Sequence, residues 1–173
     1  GLTRIMLEMF YPQRYEVSAY VIPYDHYHAQ GIRGVIFDVD NTLVPHDAPA
    51  DGQARELFRH LHEMGMETCL LSNNKEPRVK AFAEDVGSAY IYKAGKPGTA
   101  GYGKAMERMG TDRGSTLFVG DQLFTDVYGA NRAGILSILV KPINPKEEIQ
   151  IVLKRYLEKP VLYFYERHRR RKA

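Results

Sequence analysis

From residue 34 onward, short apolar runs alternate with longer amphipathic stretches. "GVIFDVD" (34–40), "METCLLSN" (66–73), "AYIYKAG" (89–95), "TLFVGD" (116–121) and "ILSILV" (135–140) are nearly continuous in apolar residues, as strands covered on both faces are. Between them, "DGQARELFRHLHEMG" (51–65) places Ala54, Leu57, Phe58, Leu61 and Met64 at helical spacing and stops at Gly65. "PRVKAFAEDVG" (77–87), "TAGYGKAMERMG" (99–110) and "TDVYGANRAG" (125–134) also read as helices, each ending at a glycine. A last helix is expected over "PKEEIQIVLKRYLE" (145–158), bounded by prolines. This alternation predicts an α/β, Rossmann-like, doubly wound fold, with a mainly parallel five-stranded sheet and helices on both faces. Residues 1–33 are tyrosine-rich, are broken by Pro12 and Pro23, and read as an arm packed on the core. The expected organisation is one domain over 1–173: the arm at 1–33, a catalytic core at 34–142, and a C-terminal helix and basic tail at 143–173.

Composition adds little to this until it is resolved along the chain. Hydrophobic and charged fractions of 44% and 26% are ordinary for a globular domain. The single cysteine, Cys69, rules out an internal disulfide, fits a reducing compartment, and sits in an apolar run where a core role is expected. No run reaches the ~20 apolar residues of a membrane span, and no signal peptide is visible, so a cytoplasmic location is expected. The net charge of +3 is uneven: residues 154–173 carry eight Lys or Arg against two acids, and residues 1–153 sum to −3. The tail mixes those cations with Tyr163, Phe164 and Tyr165. It reads as a contact for the inner face of an anionic membrane or as a solvated end, with nucleic acid not expected as the partner.

The polar residues that end the strands carry the chemistry. In doubly wound sheets, ligands bind at the carboxyl ends of the strands. Here those ends read Asp38-Val39-Asp40, Ser72-Asn73-Asn74, Lys93 to Lys96 and Gly120-Asp121. Clustered carboxylates are costly to bury unless compensated, and a hard divalent cation held by oxygen ligands would compensate them; Mg²⁺ suits such a site. Lys96 adds a point charge for a phosphate, and Ser72 adds a hydroxyl. A carboxylate nucleophile among metal, lysine, hydroxyl and amide donors describes phosphoryl transfer. Asn73 follows Ser72 closely enough to reach a phosphate, whereas Asn74 reads as a turn former. His26-Tyr27-His28 reads as an exposed turn, and His46 as a loop residue, with contact to the substrate as the alternative. Gln122 and Thr125 are expected to serve loop structure, and Gly101-Tyr102-Gly103 lacks a phosphate-loop context.

"DVDNT" (38–42), "LSN" (71–73), "GKP" (95–97) and "GDQLFTD" (120–126) resemble, in order, the four motifs of the haloacid dehalogenase (HAD) superfamily. The resemblance covers about residues 32–142. It implies that Asp38 is the nucleophile and that Asp40 protonates the leaving oxygen and then activates water. It implies that Ser72, Thr42, Asn73 and Lys96 bind the phosphoryl group. It also implies that Mg²⁺ is held by Asp38, Asp121 and the carbonyl of Asp40, with Asp126 orienting a metal-bound water or Lys96. Asp40 and Ser72 lie 32 positions apart, and Ser72 and Lys96 lie 24 apart. Neither interval holds the lid domain found in many members, so an open, capless site is expected. Such a site suits a phosphate displayed on something large. The layout, with "FYPQRY" and "LLSNN", looks like the YqeG-type phosphatases of subfamily IIIA and the related phosphatidylglycerophosphatases. That likeness implies phosphatidylglycerophosphate, a lipid head group, as substrate. A phosphoprotein, nucleotide or sugar phosphate stays open as an alternative, as does a catalytically silent binding protein.

Overall fold

The computed structural model describes residues 1–145, 153, 160 and 163–171. The chain divides into two compact units, Gly1–Ile143 and Asn144–Ala173. In the first, the strands are β1 (Arg14–Glu16), β2 (Gly34–Phe37), β3 (Glu67–Leu71), β4 (Ala89–Ile91), β5 (Thr116–Gly120) and β6 (Leu136–Val140). They form one sheet in the order β1-β6-β5-β2-β3-β4, with every pair parallel. The sheet thus has six strands, not the expected five. The addition comes from the N-terminal arm: Arg14, Tyr15 and Glu16 pair with Ile138, Leu139 and Val140. This strand is short and largely exposed, and main-chain bonds hold it rather than an apolar face.

The helices are α1 (Leu2–Glu8), α2 (Tyr24–Ala29), α3 (Gly52–Glu63), α4 (Glu76–Val86), α5 (Ala100–Met109) and α6 (Tyr128–Arg132). Strand side chains alternate between faces, and the core splits accordingly. Val35, Phe37, Leu70, Leu117 and Val119 pack with Phe58 and Leu61 of α3 and with Val79 and Phe82 of α4. Ile36, Cys69, Leu71 and Phe118 pack with Tyr102 and Ala105 of α5 and with Ala130 of α6. Helix ends follow local chemistry. Asp51 caps α3 by accepting from the Ala54 amide at 2.8 Å. Pro77 sits in the first turn of α4, and Gly87 ends that helix at φ 72°, where a side chain would be strained. Burial pushes the Cys69 thiol up to about 12, as a core cysteine should be.

Two further expectations change. His26-Tyr27-His28 lies on α2 rather than in a turn. The helix expected from residue 125 begins as a π-helical turn at Leu123–Val127 and continues as α6. In the second unit, residues 163–171 are helical and exposed; most of the helix expected at 145–158 lies outside the described residues. No helix among the described residues is long and apolar enough to cross a membrane.

Candidate active site

Four loops leave the carboxyl ends of β2, β3, β4 and β5, four adjacent strands that run from the middle of the sheet to its β4 edge. After β2 the chain turns sharply. Asn41 is fully buried at φ 61°, its amide donates to the Val44 carbonyl at 2.8 Å, and the Leu43 amide donates to the Val39 carbonyl at 3.0 Å. Asn tolerates the left-handed region better than most residues, which suits "DNT" to this turn. The turn places Asp38 and Thr42 side by side on the site.

The loop after β3 presents Ser72, which is buried; its hydroxyl accepts from the Asn74 amide at 3.1 Å. Asn73 is exposed, and its carboxamide is spent on the main chain of Lys96. Its Nδ2 donates to the Lys96 carbonyl at 3.1 Å, and its Oδ1 accepts from the Lys96 amide at 2.8 Å. Asn73 therefore clamps one loop to the next with its oxygen and one N–H, and the second hydrogen on Nδ2 is not used in these two bonds.

Lys96 is the hub of the site. Its Nζ donates to Asp38 Oδ1 at 3.0 Å and to Asp126 Oδ1 at 2.6 Å, with its side chain 3% exposed. Burial alone would lower its pKa, but the charges of Asp126 and Asp38 outweigh that and hold the ammonium well above its ordinary range. Burial and the Asp38 charge push the Asp126 carboxyl up, while Lys96 opposes them. Thr42 Oγ1 donates to Asp121 Oδ1 at 3.0 Å and lies 3.4 Å from Asp38 Oδ2. The carboxylates of Asp38, Asp121 and Asp126 each offer an oxygen, all within 4.8 Å of one another. An all-oxygen, buried, triply acidic donor set fits a hard divalent cation. Asp126 is committed elsewhere: besides Lys96, it accepts from the Gln122 amide at 3.1 Å. Its place beside the lysine fits an orienting role.

Asp40 turns away from this group. Its Oδ1 accepts from the Asp47 amide at 2.8 Å and from Arg78 Nη2 at 3.1 Å, and its Oδ2 accepts from Asn74 Nδ2 at 3.4 Å. His46 Nδ1 stands 3.9 Å from Asp40. So Asp38, Thr42, Lys96, Asp121 and Asp126 form one network, Ser72 and Asn73 brace it, and Asp40 stands on its rim. Sequence reading missed Arg78 and Tyr102. The Tyr102 hydroxyl donates to the main-chain carbonyl of Asp126 at 3.0 Å from a fully buried ring. Thr125 Oγ1 donates to Gln122 Oε1 at 2.7 Å, the loop-structural role expected of both.

The backbone of the fourth loop approaches Asp126 so closely that only glycine fits at 120. A Cβ there would lie 2.5 Å from Asp126 Oδ2. Gly120→Ala is expected to displace Asp126 from Lys96, to cut turnover by about tenfold or more, and to destabilise the fold by ~1–3 kcal/mol. Steady-state kinetics and urea titration check both; wild-type turnover in this variant would mean that Asp126 does not set the lysine.

A parallel, doubly wound sheet with acids, a lysine and a serine gathered at its carboxyl edge defines a hydrolase class. A sequence profile described as haloacid dehalogenase-like hydrolase matches residues 45–134. The chain belongs to that family, and it is a phosphatase. It is 34% identical over 159 residues to the protein named "Probable phosphatase YqeG" of Bacillus subtilis, covering 91% of this chain and 92% of that one. It is 29% identical over 152 residues to "Phosphatidylglycerophosphate phosphatase 1, chloroplastic/mitochondrial" of Arabidopsis thaliana; that match takes in 75% of this chain and 43% of the plant protein. The chain thus spans less than half of that relative. Among solved structures, a HAD phosphatase from Thermococcus onnurineus superposes with a TM-score of 0.53 at 15% identity, over 64% of this chain and 86% of that one, a likeness of fold.

Proposed function

We propose that this phosphatase hydrolyses a phosphomonoester through an aspartyl-phosphate on Asp38, with Mg²⁺ as cofactor, and that its substrate is phosphatidylglycerophosphate. The observation that carries the mechanism is Lys96 Nζ bridging Asp38 and Asp126 in a buried site. An ammonium there stands 3.0 Å from Asp38 Oδ1 and faces the oxygens of an incoming phosphoryl group. Asp38 attacks phosphorus, the bond to the leaving oxygen breaks, and Asp40 gives that oxygen a proton. Water then attacks phosphorus, Asp40 takes its proton, and the bond to Asp38 breaks to release phosphate. Thr42, beside Asp38, and Ser72, at the end of the neighbouring strand, are the hydroxyls assigned to the phosphoryl group, and Asn73 holds the main chain of Lys96. Asp38, Asp121 and the carbonyl of Asp40 are the groups assigned to Mg²⁺, which when bound neutralises charge on the phosphoryl oxygens.

The substrate assignment is supported by an open edge and by the likeness to the plant protein. Between Asp40 and Ser72 the chain builds α3 and β3 alone as regular elements, and between Ser72 and Lys96 only α4 and β4; neither stretch is large enough for a lid. A lipid substrate also gives the tail a role: exposed Tyr163, Phe164 and Tyr165 precede Arg167, Arg169, Arg170 and Arg171, a composition suited to the inner face of an anionic membrane. Phosphate release from phosphatidylglycerophosphate in micelles is expected to exceed, by at least tenfold in kcat/KM, that from soluble sugar phosphates and nucleotides. Preference for a soluble ester or a phosphopeptide would overturn the lipid assignment.

A further inference from the structure

Arg78 has no part in the chemistry above, yet it touches Asp40. It stands in the first turn of α4, 38 residues from Asp40 in sequence, and its Nη2 reaches Asp40 Oδ1 at 3.1 Å. The side chain is 16% exposed, and its guanidinium carbon lies 5.6 Å from the centre of the Phe82 ring, which supports the guanidinium plane. Its Nε is buried and finds no hydrogen-bond partner among the described residues. Two features make a purely structural ion pair an incomplete account. Asp40 is already anchored through the Asp47 amide and the Asn74 carboxamide, so holding it does not require an arginine. A cation in the first turn of a helix also opposes the helix dipole, so the helix itself gives no reason for an arginine at this position. Arginine presents its donors as a rigid planar fork that matches a phosphate, and most of that fork is unspent here.

We infer that Arg78 is the specificity residue for the leaving group: it binds an anion carried on the departing alcohol, so the site favours phosphomonoesters whose leaving group bears a second phosphate. This rests on the reading of Asp40 as the proton donor, which puts the leaving oxygen beside Asp40. The arginine stands one hydrogen bond farther out, where a phosphate a few bonds beyond that oxygen falls. A phosphodiester in a lipid head group and a phosphate in a soluble bisphosphate present the same charge at this place.

The test uses a matched lipid-free pair, propane-1,3-diol bisphosphate and 3-hydroxypropyl phosphate, together with short-chain phosphatidylglycerophosphate. The wild type is expected to prefer the bisphosphate in kcat/KM by about tenfold. Arg78→Gln is expected to bring that ratio down to about two, the statistical factor for two equivalent phosphates, through KM, whatever it does to the absolute rates. Arg78→Lys keeps the charge without the fork and is expected to retain part of the preference. An unchanged ratio in Arg78→Gln, or a wild type with no preference, overturns the inference. Because neither soluble ester has an acyl chain, a lost lipid preference with an intact Arg78-dependent ratio strikes only the lipid assignment. Failure of all three substrates to release phosphate with Mg²⁺ present overturns both readings.

Discussion

Asp38→Asn is expected to abolish phosphate release, lowering kcat by about 10³-fold or more, while leaving the protein folded. The loss follows from chemistry: a carboxamide cannot accept the phosphoryl group, and it offers a metal a weaker oxygen. The survival of the fold follows from geometry. Lys96 donates to two carboxylates, so losing the charge of Asp38 leaves it paired with Asp126 at 2.6 Å. The mutant amide also keeps an oxygen that can accept from Lys96, while its NH2 group, in the place of Oδ2, can donate to Thr42 Oγ1. Circular dichroism and urea unfolding should therefore match the wild type closely. Near-normal turnover would contradict the assignment of Asp38 as nucleophile, and an unfolded variant would contradict the claim that Asp126 suffices as the partner of the lysine.

Lys96→Met is expected to cost both activity and stability, and the contrast is the point. Methionine fills a similar volume, but it leaves Asp38, Asp121 and Asp126 as three buried acids with no cation among them. Removing one partner of a buried charge group typically costs about 3–5 kcal/mol, because the remaining charges stay desolvated. Urea unfolding in the presence of a chelator should show that loss. Added Mg²⁺ should recover part of it by supplying positive charge to the same carboxylates. Turnover should stay low even with saturating Mg²⁺, since the phosphoryl group and Asp38 would still lack their ammonium. A variant as stable as the wild type without metal would mean that these carboxylates are protonated or solvated in the folded protein.

What could be read from the chain depended on whether the cause was local. The central strands are buried on both faces, so their apolar runs were plain, and so were the polar residues where those runs stop. Asp38, Ser72, Lys96 and Asp121 sit at four neighbouring strand ends because a parallel sheet puts all its carboxyl ends on one edge. The strand Arg14–Glu16 escaped notice because an exposed edge strand of three residues needs no apolar alternation. Its pairing is main-chain, and the side chain of Gln13 supports it by accepting from both the amide and the hydroxyl of Ser137 at 2.7 Å. In the sequence, Asn73 points to a phosphate through its proximity to Ser72. Its bonds to the main chain of Lys96, 23 residues away, are ones no spacing rule points to. Arg78 lies in the sequence as one of several cations on helical stretches. The one local hint was its position in a first turn, where acids are favoured over bases.

The central claim is that the phosphoryl group passes through Asp38. The most direct measurement uses Asp40→Asn with an aryl phosphate, whose leaving group departs without a proton donor. The first step then proceeds while hydrolysis, which needs Asp40 as base, is slow. Acid quench after one turnover, reduction with borohydride and peptide mass spectrometry should find the aspartyl-phosphate at residue 38 converted to homoserine, in near-stoichiometric amount. An unmodified Asp38, or homoserine at Asp121 or Asp126 instead, would contradict the account.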